Sequence, residues 1–369
     1  MARVNAPDSR YMLADLTGEV RNLPNLYGFI NSLNLFTPKP ITTHIAILDV
    51  TSDSVALVDS VEKASRDATS QFTGPTNAVA FPLINFKVVE SLTPEELQSV
   101  RQAGTGNLDV ETEARLRARK LAKIRARFDI TNEFLKMGAL KGKVYDPQGN
   151  LRLDMFTQMG VTKKVIKFGL ADASGASFEA AIEELHRHME DNAQTGTIIN
   201  GQDIVVLVND VFFSKLIAMP YIRDAYLAQQ TPLAYQQITG SLRTGSTDGV
   251  QQNMNVFQYR GVKFVQYNGF FNDARGNKHV LVGVEGKAAT VGQGHAFPNV
   301  TMLPGSDLFE HAYGPVIKMG FVNTLGQPLY VFEYEKDRDE GIDFEAHSIQ
   351  MPYCTRPQLL VDITDEARS

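Results

Sequence analysis

From Val110 to Leu140 the chain runs without a proline, and Leu121, Ile124, Phe128, Leu135 and Ala139 recur at spacings of three, four and seven residues. That period places all five on one stripe of an α-helix. Asp109 stands where an N-cap belongs, Glu111 and Glu113 meet the positive end of the helix dipole, and Gly142 follows as a stop. At ~1.5 Å per residue such a helix is roughly 45 Å long. It cannot bury its stripe inside a bundle of short elements, so the rest of the chain must supply an extended surface for it to lie on.

The chain has the material for that surface. Its 369 residues are 43% hydrophobic and 21% charged, a balance that excludes a disordered chain, a collagen and a disulfide scaffold and predicts two or three domain-sized units. Ahead of the helix, residues 1–40 scatter large apolar side chains among Pro24, Pro38 and Pro40, which reads as an arm laid along something else. Residues 41–90 read as an extended loop. Ile41, Thr43, Ile45 and Ile47 alternate with Thr42, His44 and Ala46, a turn is expected at Asp49–Asp53, and a return strand through Val55, Leu57, Asp59 and Val61 completes a hairpin. A polar stretch, Glu62–Gln71, and a second apolar return, Val79–Val89, follow. A polar-tipped excursion of this kind has little with which to pack on its own domain.

Residues 91–200 read as one unit carrying the long helix over 110–140, a hairpin about the turn Asp146-Pro147-Gln148-Gly149, and an amphipathic helix with Phe178, Ile182, Leu185 and Met189 on one face. A second unit over 201–325 opens on the buried strand Asp203–Val208 and contains the Gly- and Thr-rich run Thr239–Gly249. Residues 326–369 return as strands. The predicted fold class is α+β, with no βαβ alternation and no internal repeat.

Patterns for catalysis or metal binding are near misses. Gly283-Val284-Glu285-Gly286-Lys287-Ala288 lacks both the spacing of a phosphate loop and its Ser or Thr. Gly245-Ser246-Thr247-Asp248-Gly249 has a serine between glycines but not at a nucleophile elbow. His186 and His188, at i and i+2 of a helix, diverge by roughly 200 degrees and cannot share an ion. Cys354, the one cysteine, reads as a small packing residue. No catalytic residue, cofactor or metal is expected. With no signal-peptide h-region in the first thirty residues and no apolar run long enough to span a bilayer, a reducing cytoplasm and no membrane partner are expected.

Charge leaves one block to weigh. Lys+Arg 36 against Asp+Glu 42 gives a net charge of -6, unlike a protein that neutralises phosphates over its whole surface. The long helix is nevertheless basic, through Arg115, Arg117, Arg119, Lys120, Lys123, Arg125 and Arg127, and the segment Glu333–Glu345 is acidic, through Glu333, Glu335, Asp337, Asp339, Glu340, Asp343 and Glu345. Either the two pair, within or between subunits, or the helix turns toward nucleic acid. Pairing is favoured, with Arg115, Arg119 and Lys123 as the basic face and Glu335, Asp337, Asp339 and Glu340 as its counterpart. No aromatic residue alternates with the helix cations as stacking on single strands needs.

Taken in order, several segments resemble the lambda-type tailed-phage major capsid protein family, the phage capsid protein E group. They are Ala139-Leu140-Lys141-Gly142 with Val144, Asp146 and Gly149; Val206-Leu207-Val208 with Phe212-Phe213 and Pro220–Tyr226; and Gly261-Val262-Lys263-Phe264 with Tyr267 and Gly269. The last is Val322-Asn323-Thr324-Leu325-Gly326-Gln327-Pro328-Leu329-Tyr330, with Gly341-Ile342-Asp343, His347-Ser348 and Cys354-Thr355-Arg356-Pro357. The resemblance implies the Hong Kong 97 phage-type fold. There the N-terminal arm and the extended β-hairpin loop reach over neighbours, a peripheral domain holds the long spine helix, and an axial domain sits at the centre of each hexamer or pentamer.

It also implies a virion protein assembled in the host bacterial cytoplasm. Its partners would be further copies of itself, a separate scaffold protein, a portal protein, a decoration protein and non-specifically packaged DNA. Lys63, Arg66, Asp67 and Gln71 are the candidate intersubunit contacts of the loop. The alternatives are an encapsulin-like compartment shell of the same fold and a cytosolic enzyme with an unrecognised site.

Overall fold

The computed structural model describes residues 14–15, 28–51, 76–99, 113–193, 204–223, 255–272, 278–288, 290–299, 302–303, 306–336 and 340–368. The expected helix is present over Glu113–Lys141, 29 residues. Its surface is a mixed sheet built on one long strand, Ile342–Cys354. Ile84–Leu92 runs antiparallel along one side of that strand, from Ile342↔Leu92 to Gln350↔Ile84. The other side is shared end to end by Tyr330–Glu335 and Phe309–Tyr313. Thr37–Pro40 adds a parallel edge to Phe309–Tyr313, a position that suits prolines because an edge strand need not donate from every nitrogen.

Alternation sorts the sheet into two faces. Val88, Leu92, Val331, Phe344 and Ala346 turn toward the helix and meet Leu116, Leu121, Ile124 and Phe128. Tyr330 and Phe332 turn to the opposite face, where Val316 and Phe321 of the segment between two sheet strands cover them. Further along, Leu135 and Ala139 of the helix join a second cluster with Val144, Leu153, Met351 and Tyr353. Every residue of the predicted stripe is buried.

A second six-stranded sheet has the order Val256–Tyr259, Val262–Gln266, Ile204–Val208, Gln293–Pro298, Val361–Thr364, Lys164–Lys167. Ala176–Ala193 packs here through the expected face, Phe178, Ile182, Leu185 and Met189, and Asp210–Ala218 packs through Phe212, Phe213 and Leu216. Phe168, Phe178, Phe212, Phe257 and Phe264 interlock as tilted and edge-on rings. The sheets do not follow the expected unit boundaries. Phe309–Tyr313 lies in the first sheet, while Lys164–Lys167 and Val361–Thr364 lie in the second. The long strand ends at Cys354, and the 3₁₀ turn Pro357–Leu359, opened by its proline, lies between it and the C-terminal strand.

The hairpin differs from expectation. Ile45–Thr51 reaches into the predicted turn and pairs with Thr76–Pro82, with Ile45↔Pro82 and Thr51↔Thr76, while the expected return strand through Val55, Leu57, Asp59 and Val61 lies outside the described residues. Its root packs on its own subunit through Ala46, Leu48 and Phe81. The face turned outward carries Ile45 and Ile47, 52% and 60% exposed. Two large apolar side chains thus point away from the core, where a half-buried strand would place polar ones.

Besides the edge pairing of Thr37–Pro40, the arm is tied down by a buried carboxylate. The carboxylate of Glu133, 5% exposed on the long helix, accepts from Ile30 N at 3.1 Å, from Asn31 N at 3.4 Å and from Tyr267 Oη at 2.7 Å. It thereby joins the short helix Phe29–Ser32, the long helix and the chain just after Val262–Gln266. Gly28 precedes this contact with φ 111°, and a Cβ there would overlap the Glu133 carboxylate. Gly28→Ala combines a left-handed backbone with displacement of a buried acceptor, so it is expected to cost about 2–4 kcal/mol. Chemical denaturation read alongside protease sensitivity near residue 28 checks this; a wild-type midpoint would show that the junction tolerates a side chain.

Candidate functional site

The basic face of the long helix lies over the acidic margin of the first sheet. Arg117 pairs with Glu333 and stands 5.8 Å from the centroid of the Phe344 ring. Lys123 Nζ and Arg127 Nη1 share Glu90 Oε1 at 3.3 and 2.7 Å, and Lys120 Nζ reaches Glu96 at 2.6 Å. Strand alternation explains the choice of partners, because Glu90 and Glu333 sit on the helix-facing side while Glu345 faces away. On that far face Glu345 pairs with Lys87, Lys318 and His347. Burial opposes ionisation of its carboxyl, but the hydrogen bonds from Lys87 and Lys318 outweigh it and pull the group down to about 2.

Of the expected basic face, Lys123 pairs with Glu90 within the subunit, Arg115 is exposed, and the Lys120 hydrogen bond that holds the Glu96 carboxyl below its ordinary value is assisted by the charge of Arg119. Of the expected acidic counterpart, Glu335 and Glu340 are exposed and the helix reaches Glu333, Glu90 and Glu96 instead. Asp337 and Asp339 lie outside the described residues, as do Lys63, Arg66, Asp67 and Gln71. Glu90 and Glu96 escaped the sequence reading because nothing in their local sequence shows that their strand and helix border the long helix.

Of the near misses, Gly245-Ser246-Thr247-Asp248-Gly249 lies outside the described residues and the others have structural roles. His186 Nε2 and His188 Nε2 meet the backbone oxygens of Arg260 and Gln358. Lys287 follows the turn at Glu285-Gly286 and pairs with Glu366. Cys354 is fully buried, and burial pushes its thiol up to about 12. Among the described residues no group of three His, Cys, Asp or Glu is placed to hold a metal ion, and no helix is long and apolar enough to cross a membrane.

A feature the sequence reading missed is the segment between Phe309–Tyr313 and Tyr330–Glu335. It turns Phe321 edge-on to Tyr330 and Phe332 and leaves Ile317, Met319, Val322 and Leu325 between 61% and 93% exposed. No helical or strand period marks these positions, so the sequence alone gave no signal for them.

The family model described as phage major capsid protein E matches residues 12–364. The major capsid protein of Salmonella phage Felix O1 is 60% identical over 99% of this chain and 99% of its own length. The major capsid protein of Pseudomonas phage KPP10 is 26% identical over 98% and 99%. A crystal structure of a prophage protein of E. coli CFT073, assigned as a capsid protein, superimposes with a TM-score of 0.55 at 13% identity, covering 96% of this chain and all of that one.

Two outcomes follow from the charges under the helix. Burial lifts the Asp129 carboxyl from its ordinary 3.8 to about 6, Arg125 at 3.8 Å lies too far to hydrogen-bond it, and Oδ2 receives no donor among the described residues. A proton held more tightly in the folded state means that stability at this site falls as pH rises through that interval. Asp129→Asn should therefore stabilise by about 1–3 kcal/mol near pH 8, with the gain vanishing at about pH 4. Thermal melts across pH check it, and a gain independent of pH would assign the effect to packing. Glu90→Gln should cost about 0.5–1 kcal/mol at low ionic strength and less in high salt, because both its partners are half exposed; the same melts at two salt concentrations measure this.

Proposed function

The chain belongs to the phage major capsid protein E family, and from that premise we propose that it builds the head shell of a tailed phage, associating as hexamers and pentamers into an icosahedral shell around double-stranded DNA. Its fold is the Hong Kong 97 phage type of capsid protein. The observation that carries the reading is the near full-length relationship to a phage major capsid protein, since an identity of that order spans cores and surfaces alike. In this role the chain is structural rather than enzymatic, resides in the virion, and is assembled in the host cytoplasm with a separate scaffold protein, a portal protein and a decoration protein.

Within the subunit, the first sheet and the long helix act as the peripheral domain with its spine, and the second sheet acts as the axial domain. The hairpin Ile45–Thr51 with Thr76–Pro82 is the root of the extended loop, and residues 52–75 extend it over a neighbour, where Lys63, Arg66, Asp67 and Gln71 make contact. Support for an outward course comes from the root itself: its core-facing side chains are Ala46, Leu48 and Phe81, while Ile45 and Ile47 stay exposed. The helix cations serve the subunit's own sheet through Arg117, Lys120, Lys123 and Arg127, so packaged DNA is met non-specifically.

Association by many weak contacts repeated by symmetry requires no covalent step. The purified chain is expected to form closed shells visible by negative-stain microscopy and as a high-mass peak in light scattering. A stable monomer across concentration and salt would overturn the reading. Deleting Ser65–Gln71 should leave folded, soluble capsomers that fail to close, because the loop tip contributes to a neighbour rather than to the core. Unfolding of the isolated subunit by that deletion would place the segment in its own core instead.

A further inference from the structure

Among the described residues nine large hydrophobic side chains are strongly exposed, and six of them fall on two strips: Ile317, Met319, Val322 and Leu325 on one, Ile45 and Ile47 on the other. The strips are bound together. His44 Nε2 meets Pro315 O at 2.8 Å and Gly326 N donates to Ile41 O at 3.0 Å. The first strip is also built inside out. Its single charged residue, Lys318, is drawn back over the sheet, where Nζ lies 4.2 Å from the Phe332 ring centroid and 3.0 Å from Glu345 Oε2. Apolar residues are left in the position a solvated loop gives to its lysine.

The segment is braced in this arrangement. Phe321 packs on two rings, Thr324 Oγ1 donates to Phe321 O at 2.8 Å, and Gln327 N donates to Tyr330 Oη at 3.0 Å. Gly326 lies so close to Tyr313 and Gly314 that no Cβ fits. A surface held this way loses little conformational freedom when it is covered.

We propose that Ile317, Met319, Val322 and Leu325, continuous with Ile45 and Ile47, form an apolar contact that a second copy of this chain covers in the assembled shell. The occupant is a copy because the strip is joined by hydrogen bonds to the root of the loop that crosses onto a neighbour; to that extent the inference rests on the self-assembly reading. The contact is dry and apolar, so it gives association a component that salt strengthens rather than screens.

Cysteine labelling tests this cleanly, since Cys354 is the chain's one cysteine and is fully buried. Met319→Cys, treated with a maleimide, should label about tenfold or more slowly in closed shells of the purified chain than in unassembled chain, as expected for the dry core of an interface. Equal rates in the two states would overturn the proposal. Protection that arises only after other head proteins are added would also overturn it, in favour of a different partner. As a second arm, Leu325→Asp should melt like wild type as an unassembled subunit and form shells at about a tenth of the yield or less, because the new carboxylate would be buried without a partner. Undiminished yield counts against the contact. Wild-type chain in the same assay reports on self-assembly separately, so failure of that reading is distinguishable from failure of this one.

Discussion

The subunit depends on the burial of one stripe of the Glu113–Lys141 helix. An isolated helix gains little from its own hydrogen bonds in water, and its stability in a protein comes from the face it buries. Here that face is distributed along the axis. Leu116 to Phe128 meet the strands that flank Ile342–Cys354, Leu135 and Ala139 meet the hairpin cluster, and Met137 and Leu140 enter the core of the second sheet. The helix thus contributes to three cores, as does the strand Ile342–Cys354 beneath it. Glu133, set among these apolar positions, adds the polar tie that fixes the arm and the neighbourhood of Tyr267 to the same helix.

That arrangement accounts for the distribution of charge and apolar surface. Cations on the helix flanks find carboxylates on the sheet beneath, and on the opposite face Glu345 collects Lys87, Lys318 and His347. Charge is largely satisfied inside the subunit, while large side chains at Ile45, Ile47, Ile317, Met319, Val322 and Leu325 remain outside. For a protein whose partners are copies of itself, internal ion pairs limit like-charge repulsion between neighbours, and exposed apolar strips supply the attraction. The acidic net charge then favours solubility before assembly without directing it.

Asp129 and Lys136 show the cost of this construction. Both lie within a turn of Glu133 on the buried side of the helix, and burial raises the first carboxyl to about 6 and lowers the lysine to about 8. Lys136 is retained by Asn31 Oδ1 at 2.7 Å and by the Phe36 ring at 5.5 Å. Both contacts come from the arm segment, so a polar residue that disfavours the isolated helix becomes part of the seat for the N-terminal segment.

What the sequence determined was the local, periodic part. The stripe of the long helix, the Asp146–Gly149 turn, the Phe178–Met189 face and the strand at 204–208 were all legible, because a period of 3.6 or 2 reports which side chains a neighbour must cover. The order of motifs also carried the family resemblance. Tertiary structure alone decided which elements became neighbours. The partner of Ile45–Thr51 proved to be Thr76–Pro82, Glu90 and Glu96 joined Glu333 as the acids under the helix, and the strand beyond the Pro357–Leu359 turn joined the second sheet. Strand pairing and ion pairing join residues far apart in the chain, and alternation cannot say which of two apolar faces is turned inward. At the hairpin root the packing of Ala46, Leu48 and Phe81 in the cluster with Tyr353 settled that question, leaving Ile45 and Ile47 outside.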